Sequence, residues 1–291
     1  YMLEIVSEIA GKNASEDTTP NFINKLAVEI IEPKNGEFYD GVFGIGGGAI
    51  EAYNFAKGYG NELKIYGQEL NLKTYSIACI RMFINGIKSA DIKVGDVLVN
   101  PIFKDGNNTL KKFDYIIMNP PFSMPWKDKE NQILNDKYGR FIYGTPGVSN
   151  SEWLFISSAL KSLKENGKAV IITTLGNLFR VGSEEVLRKK IIGFDYIESV
   201  IGLSSGLFST TAIPCAMIVF NMNKSDEMKN KIQFINADYL YENVRRGKNI
   251  LSGENIDTIV DIYRNKRNVD GISSILNLSD IDNANLLPSR N

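Results

Sequence analysis

Short apolar runs alternate along this chain with longer segments of helical periodicity, and that alternation points to a mostly parallel sheet covered by helices on both faces. The pattern predicts strands at residues 37–40, 63–68, 92–94, 113–118, 169–173, 196–201 and 216–220, with helices at 21–32, 49–57, 72–84 and 151–164 between them. Pro20 precedes the first helix, Pro33-Lys34-Asn35-Gly36 ends it, and Asn85-Gly86 closes the third. Residues 123–150 show little periodicity and several Gly and Pro, a length of loop that is usually functional or mobile. The organisation expected is a lead-in at residues 1–20, a core at 21–221, and a more polar extension at 222–291 packed on the core. That extension has a strand-like run at 232–235 and a helix at 254–266. Residues 221–231 read as a linker or a polar surface hairpin.

A chain of 291 residues with 43% hydrophobic content can bury a full core. No apolar run approaches the roughly 20 residues of a membrane helix, and no basic-then-apolar leader is seen, so a soluble cytoplasmic protein is expected. Cys79 and Cys215 lie within apolar stretches and read as buried thiols, with no disulfide framework and no metal site. Histidine is absent, which removes the commonest general base, the Ser-His and Cys-His nucleophiles and the commonest zinc ligand. Against 34 acidic residues stand 33 basic ones, so no global field draws in a polyanion, and nucleic acid would be held locally or jointly with a partner.

The segment Phe38-Tyr39-Asp40-Gly41-Val42-Phe43-Gly44-Ile45-Gly46-Gly47 places close glycines where a strand turns into a helix. Glycines there admit a ligand to the backbone and leave helix N-terminal amides free to donate, although a tight turn also needs glycine for steric reasons alone. Glu69 ends the second predicted strand, where doubly wound folds put a carboxylate on ribose hydroxyls, and Asp96 ends the third in the same way. Taken together, Gly44, Gly46, Gly47, Glu69 and Asp96 read as a nucleoside pocket at the carboxyl edge of the sheet. No Gly-Lys-Ser or Gly-Lys-Thr follows the turn, so phosphate binding is disfavoured; a nucleoside with a charged amino-acid tail fits, and S-adenosylmethionine is the common one.

Directly after the apolar run at 113–118 comes Asn119-Pro120-Pro121-Phe122. The Asn119 side-chain oxygen and the Pro120 carbonyl can each accept one N–H of a planar amine, favouring a pyramidal nitrogen whose lone pair faces a methyl donor. Prolines hold the carbonyl in one direction, and Phe122 can stack on a base. No strong base is needed before attack, in keeping with a chain that lacks histidine. By itself the clamp suits a DNA base, an RNA base or a protein glutamine amide.

From about Ser15 to Arg290 the sequence resembles the amino-type adenine-N6 DNA methyltransferases, and most closely the modification subunits of type I restriction-modification systems. Ser15-Glu16-Asp17-Thr18-Thr19-Pro20 looks like the family's methionine-binding lead-in. Asp40 to Gly47 is similar to its cofactor turn, Tyr66-Gly67-Gln68-Glu69-Leu70-Asn71 to its ribose motif, and Gly95-Asp96-Val97-Leu98 to its third motif. The more specific group is Asn119-Pro120-Pro121-Phe122-Ser123 with Trp126, then Arg140-Phe141, Tyr143-Gly144, Ser149-Asn150, Leu178-Phe179-Arg180, Gly202-Leu203, Gly206-Leu207-Phe208 and Ile213-Pro214.

The resemblance implies a Rossmann-like class I S-adenosylmethionine-dependent methyltransferase with a seven-stranded, mostly parallel sheet whose last hairpin adds an antiparallel strand. It implies methyl transfer to adenine N6 in DNA, with a specificity subunit and a restriction subunit as partners. Catalysis falls to Asn119, Pro120, Pro121 and Phe122. Cofactor binding falls to Thr19, Pro20, Asp40, Gly44, Gly46, Gly47, Glu69 and Asp96, and Trp126, Phe179 and Phe208 are candidates for lining a flipped base. The alternatives are an RNA or protein-glutamine methyltransferase, or a non-catalytic cofactor-binding assembly module. Gly41 departs from the family's proline, and Ile45 and Gly48 from its small polar and aromatic residues. Basic clusters at Arg188-Lys189-Lys190, Arg245-Arg246-Gly247-Lys248 and residues 264–267 read as phosphate contacts or as solvated faces.

Overall fold

The structure, a computed structural model, describes residues 19–106, 109–208, 213–245 and 247–291. In chain order the elements are α1 (Asn21–Ile31), β1 (Gly36–Asp40), α2 (Gly47–Gly58), β2 (Leu63–Glu69), α3 (Leu72–Ile84), β3 (Ala90–Val94) and β4 (Phe113–Met118). There follow α4 (Glu130–Leu134), α5 (Glu152–Lys161), β5 (Leu163–Thr174), α6 (Gly176–Phe179), α7 (Ser183–Gly193), β6 (Ile197–Leu203) and β7 (Cys215–Asn221). The extension adds β8 (Lys231–Ala237), β9 (Glu242–Arg245), β10 (Lys248–Ile250), α8 (Gly253–Arg264) and β11 (Ser273–Asn277).

Nine strands form one sheet in the order β11-β8-β6-β7-β5-β4-β1-β2-β3. Strands β1 to β6 and β8 share one direction, whereas β7 runs antiparallel between β5 and β6 and β11 runs antiparallel beside β8. The seven-stranded sheet expected from the sequence is the β3-to-β6 part of this array, β7 being its antiparallel strand. The two further strands come from the extension, where Ile232, Phe234 and Ile235 are buried in the core. Ser273–Asn277, only partly buried, carries too weak an apolar alternation to be read as a strand.

Side chains alternate across the central strands, so the core divides into two layers. Val170, Ile172, Met217 and Val219 face one layer with residues of α1, α2, α3 and α8. Ala169, Ile171, Ala216 and Ile218 face the other, with α5, α6 and α7. Strands buried on both faces must be apolar throughout, which is why β6 and β7 are buried at every position.

Residues 221–231 prove to be neither linker nor hairpin. They carry the chain over packed ground from β7 to β8: Met228 is fully buried, and Lys224 Nζ pairs with Asp195 and donates to the Lys231 carbonyl at 2.6 Å. Cys215 is buried, its thiol pushed up to about 12 by desolvation, whereas Cys79 is only half-buried. Among the described residues, no helix is long and apolar enough to cross a membrane.

Candidate active site

Strand β1 ends in Asp40, and the chain turns through residues 41–46 into α2. Gly46 is the N-cap at φ 76°, a left-handed value that glycine adopts freely, and a Cβ there would lie 2.5 Å from Met82 and 2.8 Å from the Phe43 ring. Gly47 has Asn24 of α1 against it in the same way, at 2.7 Å. The turn is held by Arg81, whose Nη1 donates to the Ile45 carbonyl at 2.8 Å, and by Phe43, whose backbone N–H donates to the Gln68 carbonyl at 3.0 Å. Gly46 and Gly47 are thus demanded by packing around the turn.

Glu69, at the end of β2, accepts the Gly44 N–H on Oε2 and the Asn71 N–H on Oε1, each at 2.8 Å. Its backbone carbonyl takes the Gly95 N–H at 2.9 Å, which ties the ends of β2 and β3 together. Asp96 accepts the Leu98 N–H at 2.9 Å and pairs with Lys129 at 2.7 Å. The next turn of the chain is braced by Arg140, fully buried, which donates to the Val97 carbonyl at 2.6 Å and the Leu98 carbonyl at 2.7 Å and pairs with Asp136. Leaving those carbonyls unpaired in the interior would be costly, so this guanidinium holds the strand-end turn in place.

A cavity of about 660 Å³ opens at this carboxyl edge, within the roughly 300–1,000 Å³ common for small-molecule sites. Its walls include Gly41, Glu69, Asp96, Asn119, Pro120, Pro121, Phe122 and Phe208, which bring β1, β2, β3, β4 and the β6–β7 connection to one place. Phe122 and Phe208 meet edge to face, with ring centroids 5.9 Å apart. The Asn119 amide is divided: Nδ2 donates to Thr19 Oγ1 at 2.8 Å, whereas Oδ1 is screened from solvent and, among the described residues, has no hydrogen-bond partner. A buried amide oxygen left unpaired is a strong acceptor awaiting a donor.

Other expected residues stand behind the wall or away from it. Asp40 is buried just beneath the turn, with Oδ1 accepting the Val42 N–H at 2.9 Å; desolvation first, and the nearby Glu69 charge second, push its carboxyl up to about 8. Thr19 is linked to the cavity wall through Asn119, and Pro20 is the N-cap of α1. Trp126 is not a wall residue: its ring is buried with Val97, Leu98, Ile133, Leu154 and Phe155, and its Nε1 donates to the Gly147 carbonyl at 3.0 Å. Phe179 stands 45% exposed at the end of α6 and is not among the lining residues. Lead-in residues 15–18 lie outside the described residues, as does Arg246.

Of the three basic clusters, residues 264–267 are paired within the fold, and in Arg188-Lys189-Lys190 only Lys190 stands exposed without an ion pair among the described residues, Lys189 pairing with Glu185. Arg188 is fully buried and donates to the Asn177, Arg180 and Ala284 carbonyls. Arg264 pairs with Glu29 and Glu32, Lys266 with Glu198, and Arg267 with Asp261. Sequence reading missed Lys129 and Phe155, which line the cavity from the long loop and from α5, and Asn24 behind the glycine turn. Asn24 carried a signal, being a polar residue on the apolar face of an otherwise well-patterned helix.

Gly41 has Met118 Cε, Tyr39 Oη and Val97 Cγ2 between 2.9 and 3.2 Å from where a Cβ would sit, so glycine suits the neighbours present here. A Cβ at Gly48 would meet only ordinary contacts, the nearest at 3.5 Å.

The model of the N-6 DNA Methylase family matches residues 1–289. The type I restriction enzyme MjaVIII methylase subunit of Methanocaldococcus jannaschii is 34% identical over 272 residues, covering 90% of this chain and 46% of that protein. The HindI methylase subunit of Haemophilus influenzae is 31% identical over 280 residues, 93% of this chain and 60% of that protein. The crystal structure of the type I restriction-modification methyltransferase subunit from Streptococcus thermophilus superposes with a TM-score of 0.84 at 25% identity, covering 94% of this chain and 59% of that one. The chain spans about half the length of the curated relatives it matches. A sheet of this order with an antiparallel strand between β5 and β6 is the class I S-adenosylmethionine-dependent methyltransferase fold, and with the family model matching nearly end to end, this chain belongs to the N-6 DNA methylase family.

Proposed function

We propose that this chain is the methyl-transferring part of a type I restriction-modification subunit, moving a methyl group from S-adenosylmethionine to the exocyclic N6 of adenine in DNA. The observation that carries the reading is Asn119 Oδ1, without a hydrogen-bond partner among the described residues, in a cavity it shares with Glu69 and Asp96. A nucleoside cofactor suits this donor set: two carboxylates at adjacent strand ends offer acceptors for hydroxyl and amine groups, and oxygen lone pairs on Glu69 remain beyond those that hold Gly44 and Asn71. When bound, S-adenosylmethionine supplies an electrophilic methyl group on a cationic sulfur.

The chain's own work is to shape the acceptor. Asn119 Oδ1 and the Pro120 carbonyl each take one N–H of the adenine amine, which turns its lone pair out of conjugation and toward the methyl carbon. Glu69 and Asp96 would hold the methyl donor, which would supply its methyl carbon to the amine nitrogen, the S–C electron pair staying on sulfur and the surplus amine proton passing to water. Phe122 and Phe208 present ring faces and edges to an extruded base. Because Oδ1 is screened from solvent, a neighbouring wall side chain yields as the amine comes in. A specificity subunit reading the DNA sequence and a restriction subunit complete the proposed assembly.

The test is methyl transfer to duplex DNA by the full subunit with its specificity subunit, followed by mapping of the methylated atom. Asn119→Ala should lower turnover by about a hundredfold or more. Unchanged transfer, or methyl groups on another atom, would sink the mechanism.

A further inference from the structure

We infer that the Thr19 hydroxyl is a positioning group that, by accepting from Asn119 Nδ2, holds the amide with its oxygen toward the substrate amine; the inference rests on the methyl-transfer reading above. A carboxamide has nearly the same shape in both orientations of its terminal torsion, and packing alone separates them poorly. The two ends differ in hydrogen bonding: Nδ2 donates to Thr19 Oγ1 at 2.8 Å, and among the described residues Oδ1 has no partner. The Thr19 hydroxyl can accept or donate, so the substrate amine, which brings only donors, selects the orientation, and Thr19 satisfies Nδ2 within it. With an amine donor in the cavity, this orientation satisfies every group. In the reversed orientation the Asn119 NH₂ would face the N–H groups of the amine, donor against donor.

Thr19 therefore supplies the acceptor without which the productive orientation would leave Nδ2 unpaired away from water, and its own placement is secured from α1. The Pro20 carbonyl caps the helix by accepting the Ile23 N–H at 3.0 Å and the Asn24 N–H at 3.2 Å. The Asn24 side chain, itself buried, donates back to the Thr19 carbonyl at 3.4 Å. Asn24 also packs against Gly47 of the glycine turn, so one helix sets both the turn and the clamp. Asn119 lines the cavity, whereas Thr19 is not among its lining residues.

Thr19→Val keeps the shape and removes the acceptor, whereas Thr19→Ser keeps the acceptor. In the full subunit with its specificity subunit, Thr19→Val should lower kcat for DNA methylation about tenfold or more. Its S-adenosylmethionine Kd by calorimetry and its thermal midpoint should match those of Thr19→Ser, which should retain near-wild-type kcat. A loss of cofactor affinity with kcat intact would make Thr19 a cofactor ligand and overturn the inference, as would equal turnover by Thr19→Val and wild type. Wild-type subunit that binds cofactor but methylates no DNA would instead refute the functional reading on which the inference stands.

Discussion

The Lys129 ammonium lies 2.7 Å from Asp96 Oδ2, and both side chains are partly exposed. The pair joins the loop after Asn119 to the end of β3 across the wall of the cavity that both residues line. If Asp96 sits near the cofactor adenine or the amine, as the family resemblance implies, a donor of the bound cofactor competes with Lys129 for that carboxylate. Lys129→Met is accordingly expected to tighten S-adenosylmethionine binding about two- to fivefold, a partly exposed pair being worth roughly 0.2–1 kcal/mol. Isothermal calorimetry decides it: weaker binding in the variant would mean that Lys129 orients Asp96 for the ligand.

Gly67, in the middle of β2, is glycine because the Phe43 ring of the cofactor turn rests on it: a Cβ would fall 2.1 Å from Phe43 Cδ2. Gly67→Ala should destabilise the protein by about 1–3 kcal/mol through overpacking, and should weaken cofactor binding by displacing the turn. Added to Phe43→Ala, the same change should cost much less than it does alone, because the clash is gone. Chemical denaturation of the single and double variants measures both terms, and strict additivity would refute the wedge.

Asp40 titrates near 8 in the folded state against 3.8 as its ordinary value, because burial disfavours its charge. The folded protein thus holds the Asp40 proton over a range where the unfolded chain has lost it, so this residue's contribution is fully present below about pH 4 and is lost as pH rises through about 8. Asp40→Asn, which keeps an oxygen for the Val42 N–H, should flatten the fall in stability between those limits relative to wild type. Parallel stability curves for the two proteins from pH 5 to 8 would argue against a buried, protonated Asp40.

The β9–β10 hairpin touches the loop that carries Phe208. A Cβ at Gly206 would lie 2.9 Å from the Gly247 carbonyl, the Asn249 N–H donates to the Gly206 carbonyl at 2.9 Å, and Asn249 Nδ2 donates to the Ser205 carbonyl at 2.8 Å. Arg245 and Lys248 stand exposed on it, with no ion pair among the described residues. Replacing both with Gln should weaken DNA binding alike for every sequence and lower the slope of log affinity against log salt by about one per residue. An unchanged slope in filter-binding or anisotropy titrations would leave the hairpin no phosphate contact.

What the sequence revealed and what it hid follow one physical division. The strand-to-amide run of β4, the glycine turn and the acidic ends of β2 and β3 are local patterns, and each was legible because backbone geometry at a strand end depends on its own residues. Trp126 was misjudged because an aromatic ring on a long loop reads the same whether it faces a ligand or packs with Leu154 and Phe155; only the fold says which. Arg188 was misjudged likewise, since a basic residue in a polar helix gives no hint that three carbonyls converge on it.

By itself, then, the sequence determined the alternating α/β architecture and singled out the strand ends at Glu69, Asp96 and Asn119-Pro120-Pro121-Phe122, which the fold brings to one cavity. The tertiary structure decided what the Asn119 amide faces. Thr19 and Asn119 are a hundred residues apart, and Lys129 meets Asp96 from a loop of weak periodicity. Such contacts arise from how α1 and the loop pack on the sheet, an arrangement set by the summed burial of both core layers and not by any short run of residues.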